Sequence, residues 1–174
     1  MILGLDVSTS TVGYTIIGLD GKLHAMSYIN LKNTKGLFDK LKLVRDELIQ
    51  FAGMISYVAI EEPVKRFKAG SSKAEIISLL GQFNGMVSAL CFFLYNVIPM
   101  QYNVNSARSK IGIKFKSGED RKIKVRDHIK DLYPDIDWPI LTKGPNVGNL
   151  KQESCDMADS AVVTLAELKR VLSN

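Results

Sequence analysis

Four acidic residues occupy places in the chain where an ordinary solvated charge is not the obvious explanation: Asp6, Glu61, Asp156 and Asp159. Asp6 follows directly on the apolar start Ile2-Leu3-Gly4-Leu5, and strand alternation turns it to the face shared with Ile2 and Gly4. Glu61 ends the apolar run Val58-Ala59-Ile60, while its neighbour Glu62 is the weaker candidate because the same alternation points it to the opposite face. Asp156 and Asp159, separated by three positions in a helix-periodic stretch, project from one helix face. Singly, each has a plainer explanation: a turn aspartate, a strand end reaching water, or favourable charge near a helix N-terminus. Together they form what phosphodiester hydrolysis requires, acidic side chains on rigid elements able to hold two metal ions about 3.5–4 Å apart. Magnesium prefers oxygen ligands, and a divalent cation relieves the repulsion among clustered carboxylates. The pattern predicts two Mg²⁺ ions per site, with Mn²⁺ as a substitute.

The elements that must position these residues are readable from periodicity. Residues 2–7, 12–19 and 23–31 are β-rich, and Asp20-Gly21 between the last two is a tight-turn dipeptide. Three consecutive antiparallel strands open the chain. Leu37, Phe38, Leu41, Val44, Leu48 and Phe51 recur at helical spacing, with Asn33 and Thr34 as candidate caps. Residues 57–60 read as a short buried strand, stopped by Pro63. Ser72 and Glu75 make a capping-box pattern, starting a helix to about Tyr95 whose apolar residues surround it almost completely. Such a helix needs cover on most sides; Gly81 and Gly85, four apart, would let another backbone approach, so a second subunit is one expected source of that cover. Residues 97–102 suggest a last strand, and 106–112 and 120–133 a short and a longer helix, ended by Pro134. Residues 139–150, rich in Gly, Pro and Asn, predict a loop before a final amphipathic helix carrying Met157, Ala161, Val162, Leu165, Leu168 and Leu172.

The bulk numbers fit one domain over residues 1–174, with 46% hydrophobic and 24% charged residues, which excludes disordered and fibrous classes. A net charge of +5 favours an anionic partner without choosing between nucleic acid and acidic lipid. The two cysteines, Cys91 and Cys155, have no zinc or redox spacing, and residues 1–5 carry no basic leader; a cytoplasmic location is expected. Residues 76–98 are long and apolar enough to be checked as a membrane span. Gln82, Asn84 and Asn96 interrupt them, so the expectation is a buried helix and no membrane. Nine cations lie between Arg108 and Lys130, namely Arg108, Lys110, Lys114, Lys116, Arg121, Lys122, Lys124, Arg126 and Lys130. Alone they would read as a solvated surface; beside the acidic cluster they suggest salt-dependent phosphate contacts.

In their order along the chain these motifs resemble the RuvC-type Holliday junction resolvases of the ribonuclease H-like superfamily. Ile2-Leu3-Gly4-Leu5-Asp6-Val7-Ser8 with Val12-Gly13-Tyr14 resembles that family's first hairpin, and Tyr57-Val58-Ala59-Ile60-Glu61-Glu62 its central strand. Gly81-Gln82-Phe83-Asn84-Gly85 is similar to its Gly-Gln-x-x-Gly segment, and Asp156-Met157-Ala158-Asp159-Ser160-Ala161 to its closing Asp-x-x-Asp-Ala pattern. The resemblance spans residues 2 to about 166. It implies an α/β fold, a mixed five-stranded sheet (three antiparallel strands, then parallel additions) flanked by helices. It also implies a catalytic, metal-holding tetrad of Asp6, Glu61, Asp156 and Asp159, and a homodimer, through the apolar helix 73–95, that nicks four-way DNA junctions symmetrically in recombination and repair. By the same resemblance Phe67, within Lys65-Arg66-Phe67-Lys68, matches an aromatic that wedges at the junction centre, and Arg108, Lys110 and Lys122 match basic residues that contact phosphate, Lys122 also assisting catalysis. The chain departs from the pattern in a longer spacing from Glu61 to the aromatic, in Pro63, and in the inserted loop 139–150.

Three other readings compete. Gly4-Leu5-Asp6-Val7-Ser8-Thr9-Ser10 resembles the phosphate hairpin of actin and sugar-kinase ATPases, which need a second large domain that 174 residues do not provide. The same fold also serves nucleases acting on flaps, branched DNA or RNA–DNA hybrids, since fold does not fix substrate. A junction-binding module without catalysis would have no need of all four acids.

Overall fold

A computed structural model of the chain describes residues 1–63 and 74–173. Its sheet has the order β3-β2-β1-β4-β5: β1 (Ile2–Val7), β2 (Thr11–Ile17) and β3 (Leu23–Asn30) form the antiparallel meander, and β4 (Tyr57–Glu61) and β5 (Met100–Tyr102) add in parallel beside β1. The mixed five-stranded arrangement expected from the sequence is therefore the one found. The β2–β3 turn closes through Gly18 N–H donating to Lys22 O at 2.8 Å, with Gly21 at φ 82° supplying the left-handed residue it needs.

Helices cover both faces. Leu3, Leu5 and Val7 of β1, Val12, Tyr14 and Ile16 of β2, and Val58 and Ile60 of β4 face α1 (Leu37–Leu48) and α2 (Ala74–Tyr95). The alternate residues face α5 (Glu153–Leu172), with α3 (Val104–Lys110) and α4 (Arg121–Leu132) packed beyond it. On that side the strands present a floor of small residues, in which register sets Gly4 beside Thr15 and Ala59, and Asp6 beside Gly13. The floor lets α5 lie almost in backbone contact with the sheet. A Cβ on Gly13 would fall 2.1 Å from the Asp156 carbonyl oxygen, and one on Gly4 2.6 Å from that of Ser160. A buried pair of hydroxyls, Thr15 Oγ1 and Ser160 Oγ at 2.7 Å, fixes the height and rotation of the helix.

Boundaries differ from the periodicity in ways with local causes. The expected caps Asn33 and Thr34 are not used; α1 starts after Gly36, which is left-handed (φ 78°) and offers no side chain. Asn103 caps α3 by accepting from Asn105 and Ser106 N–H, so that helix begins two residues earlier than its apolar pattern. Asn96 turns left-handed (φ 54°) and Pro99 has no N–H, so the chain joins the ladder only at Met100 rather than at residue 97. Ser72 of the anticipated capping box lies outside the described residues.

The larger correction concerns α2. Length and composition would let it cross a membrane. Here Phe83, Asn84, Val87, Cys91 and Tyr95 are buried on the sheet side. The predicted cover on most sides is not supplied by the described residues: among them Ile76, Leu79, Phe92 and Phe93 are exposed, and a Cβ on Gly81 or Gly85 would meet none within 4 Å.

If the close approach of α5 governs the fold, Gly13→Ala should destabilise the protein by about 1–3 kcal/mol, the usual cost of overpacking. Chemical denaturation measures it; an unchanged midpoint would mean the floor is not the constraint.

Candidate active site

Adjacent parallel strands end side by side, so their last residues are neighbours in space. Asp6 near the end of β1 and Glu61 at the end of β4 thus share the sheet edge and the face covered by α5. The N-terminal turns of α5 pass over that edge and deliver Asp156 and Asp159 to the same cleft. One carboxylate oxygen from each of Asp6, Glu61 and Asp159 lies within 4.8 Å of the other two. Asp156 lines the cleft beside them without belonging to that tight triple. Glu62 lines it as well; β4 has ended, so the alternation that would turn Glu62 away no longer applies.

The electrostatics are those of acids kept from water and from enough countercharge. Burial, then Glu61, Asp159 and Asp156, hold the Asp6 carboxyl well above the usual carboxylate range, and Lys122 offsets part of the effect. Glu61 is pushed up to about 7, by burial first and Asp159 next, against Arg108 and Lys122. Burial likewise raises Asp156 to about 6. Among the described residues, Glu61 Oε2 is buried with no hydrogen-bond partner. A buried acceptor without a donor is costly, and three converging carboxylates add repulsion. An oxygen-preferring divalent cation removes both penalties, so this donor set fits the metal that the sequence pattern implies.

Among the described residues, two cations reach the cleft. Lys122 sits at its wall, in the first turn of α4, whose N-terminus Asp120 caps by accepting from Lys122 and Ile123 N–H. Arg108 also lines the cleft and is buried: its guanidinium donates to Asp159 Oδ1 at 2.7 Å, and its Nε finds no partner among the described residues. Its primary contact is thus the acid. Removing one member of such a buried pair typically costs about 3–5 kcal/mol.

Other candidate residues fall elsewhere. Lys110 does not line the cleft; its ammonium lies 5.9 Å from the centre of the Tyr102 ring. Lys65, Arg66, Phe67 and Lys68 lie outside the described residues. Of the further cations in the basic stretch, Lys124 pairs with Glu119 and Arg126 with Asp127, while Arg121 lies over Phe115. An open hollow beside α4 is lined by acids and basic groups together, among them Asp120, Lys124, Asp127, His128 and Asp131. The positive track is therefore narrower than the sequence suggested. Sequence reasoning missed Lys32, whose ammonium bonds Glu153 Oε1 at 2.5 Å and adds positive charge near Asp156. Isolated on a strand's tail, it had no local signal.

No protein-family model matches the chain, and no curated protein matches it. Solved structures do. Thermus thermophilus RuvC superposes with a TM-score of 0.64 at 13% identity, over 99% of this chain and 96% of that one. The yeast mitochondrial Holliday junction resolvase Ydc2 gives 0.61 at 18% identity, over 97% of this chain and 77% of that one. The Fowlpox virus resolvase, solved with Holliday junction DNA, gives 0.57 at 18%, over 98% of each. With its β3-β2-β1-β4-β5 sheet flanked by helices, the chain has the ribonuclease H-like fold of these solved resolvases.

Proposed function

We propose that the protein is a divalent-metal-dependent endonuclease that resolves four-way DNA junctions as a homodimer, by paired symmetric nicks leaving 5′-phosphate and 3′-hydroxyl ends. The observation that carries this reading is the convergence of Asp6, Glu61 and Asp159, three carboxylates from three separate elements within 4.8 Å, with Glu61 Oε2 buried and without a donor among the described residues. Asp6, Glu61 and Asp159 would hold Mg²⁺ or Mn²⁺, and Asp156 lines the cleft beside them with Lys122. What the cation supplies when bound is Lewis-acid activation of the attacking water and neutralisation of charge on the phosphoryl oxygens. The chain's own groups orient and balance. Lys122 faces the cleft, where an ammonium stabilises negative charge that grows at phosphorus. Arg108 donates to Asp159 Oδ1 and fixes where that carboxylate points. The burial that raises Asp6 and Glu61 also excludes bulk water, which strengthens every charge interaction in the site.

The substrate reading draws on the solved resolvases and on α2. Its outer face, with exposed Phe92 and Phe93 and Gly81 and Gly85 open among the described residues, seats a second copy, and an isologous pair presents two sites related by a two-fold axis. A four-way junction offers two matching phosphates; a flap or an RNA–DNA hybrid does not.

Wild type and Asp6→Asn are to be compared on a mobile four-way junction, a flap and a hybrid duplex, in Mg²⁺ and in EDTA. Paired nicks on the junction alone are expected for the wild type, with a loss of more than about a hundredfold in the variant, since even residues behind the ligands cost 10–100-fold. Cutting in EDTA, or equal cutting by Asp6→Asn, would sink the mechanism; preference for the flap or hybrid would redirect the substrate.

Stability should report the metal independently. Asp156 and Glu61 are raised to about 6 and about 7 in the fold, against about 3.9 and 4.3 for unstructured Asp and Glu. A raised carboxyl favours the protonated folded form, so its stabilisation is complete below the unfolded value and disappears as pH climbs through the folded one. Metal-free protein should therefore lose Tm between about pH 4 and 7, and saturating Mg²⁺ should flatten that slope. A flat metal-free profile would contradict the buried cluster. For the interface, Gly81→Leu combined with Gly85→Leu should leave the fold intact and yield monomers in sedimentation velocity; an unchanged dimer would move the contact elsewhere.

A further inference from the structure

The last residue of a strand has a carbonyl that the ladder no longer serves. Glu61 closes β4: pairing with β1 stops one residue earlier, at Ile60 opposite Leu5, while β5 pairs with Glu61 through Tyr102 and accepts from Glu62 N–H at 2.8 Å. A side chain from another element meets the Glu61 carbonyl. Asn84 Nδ2, from the middle of α2, donates to it at 2.9 Å. Asn84 is 3% exposed and is tethered in turn. Gln101 Nε2 lies 3.5 Å from Asn84 Oδ1 and donates to Ser88 Oγ at 3.1 Å, and the Ser88 hydroxyl donates to the Asn84 backbone carbonyl at 2.9 Å. One amide orientation serves both neighbours, nitrogen toward Glu61 and oxygen toward Gln101.

Packing alone does not ask for an amide here. The inner face of α2 is otherwise filled by Phe83, Val87, Cys91 and Tyr95, and a leucine at position 84 would occupy similar space without the cost of burying an amide. The Glu61 carboxyl, for its part, ends in a buried Oε2 that no described residue holds. Its aim therefore depends on where its backbone sits, and misplacement by about 1 Å can cost a site about a hundredfold. Leu80, one turn before Asn84, lines the cleft directly.

We propose that Asn84 is a positioning residue for Glu61: its amide extends the β4 ladder by one bond, fixes the backbone from which the carboxylate is presented, and makes α2 a wall of the active site. In Gly81-Gln82-Phe83-Asn84-Gly85 the glycines then face the outside, and Asn84 the chemistry. This rests on the metal-site reading above.

The test is Mn²⁺ titration of the DNA-free protein by calorimetry, well below the unfolding temperature, with urea denaturation run in parallel. Asn84→Leu keeps volume and removes the donor; Asn84→Ala serves in its place should the leucine variant not fold. The expected result is a folded variant whose Mn²⁺ affinity is weakened about tenfold or more, the usual consequence of losing a group that orients a metal ligand. A filler residue would change the urea midpoint and leave Mn²⁺ binding as in wild type, and that result overturns the assignment. Failure of the wild type itself to take up Mn²⁺ overturns the metal reading, and this inference with it.

Discussion

The distance between α5 and the sheet is the constraint on which the rest depends. An ordinary helix–sheet contact holds backbones apart by the thickness of two side-chain layers. Here Gly4, Gly13 and Ala59 remove one layer, and the Thr15–Ser160 hydroxyl contact sets the depth at which the helix stops. The consequence is chemical. Asp156 and Asp159, in the first turns of that helix, descend to the level of Asp6 and Glu61. Because Gly13 lies opposite Asp6 in the register, the space its missing side chain vacates is the space that Asp156 backbone fills. Packing and site are one arrangement.

That arrangement gathers like charges away from water, which no stable fold tolerates without compensation. Part of the compensation is built in, as Arg108 on Asp159 and Lys122 at the cleft wall. It is incomplete: Asp6, Glu61 and Asp156 all remain raised, and one Glu61 oxygen has no donor among the described residues. Structural ion-pair clusters tend to saturate their hydrogen bonds, whereas sites that await a cation leave acceptors open. The residual imbalance is why the cluster reads as a metal centre rather than as a salt-bridge network.

The long helix α2 joins the two halves of the functional reading. Its inner face closes the core against β1 and β4 and reaches the end of β4 through Asn84. Its outer face is apolar and open at two glycines. A helix with two apolar faces explains a composition that otherwise reads as a membrane span: one side is buried in the core, and the other is exposed.

Much was determined by the amino-acid sequence alone. Alternation and helical periodicity fixed every strand and helix of the sheet and its covers, because amphipathic faces are local properties. The candidate acids could be named for a similar reason: Asp6 and Glu61 each follow an apolar strand run, where a carboxylate is out of place. Tertiary structure alone decided how these groups combine. Only the register of β1 against β4 together with the seating of α5 shows that Asp6, Glu61 and Asp159 form the tight triple while Asp156 stands beside it. Only packing shows that Arg108 spends its charge on Asp159, that Glu62 turns into the cleft once β4 has ended, and that Lys124 and Arg126 are already paired. Charge in a sequence says nothing of distance, and Coulombic partnership depends on distance and burial, which long-range contacts set.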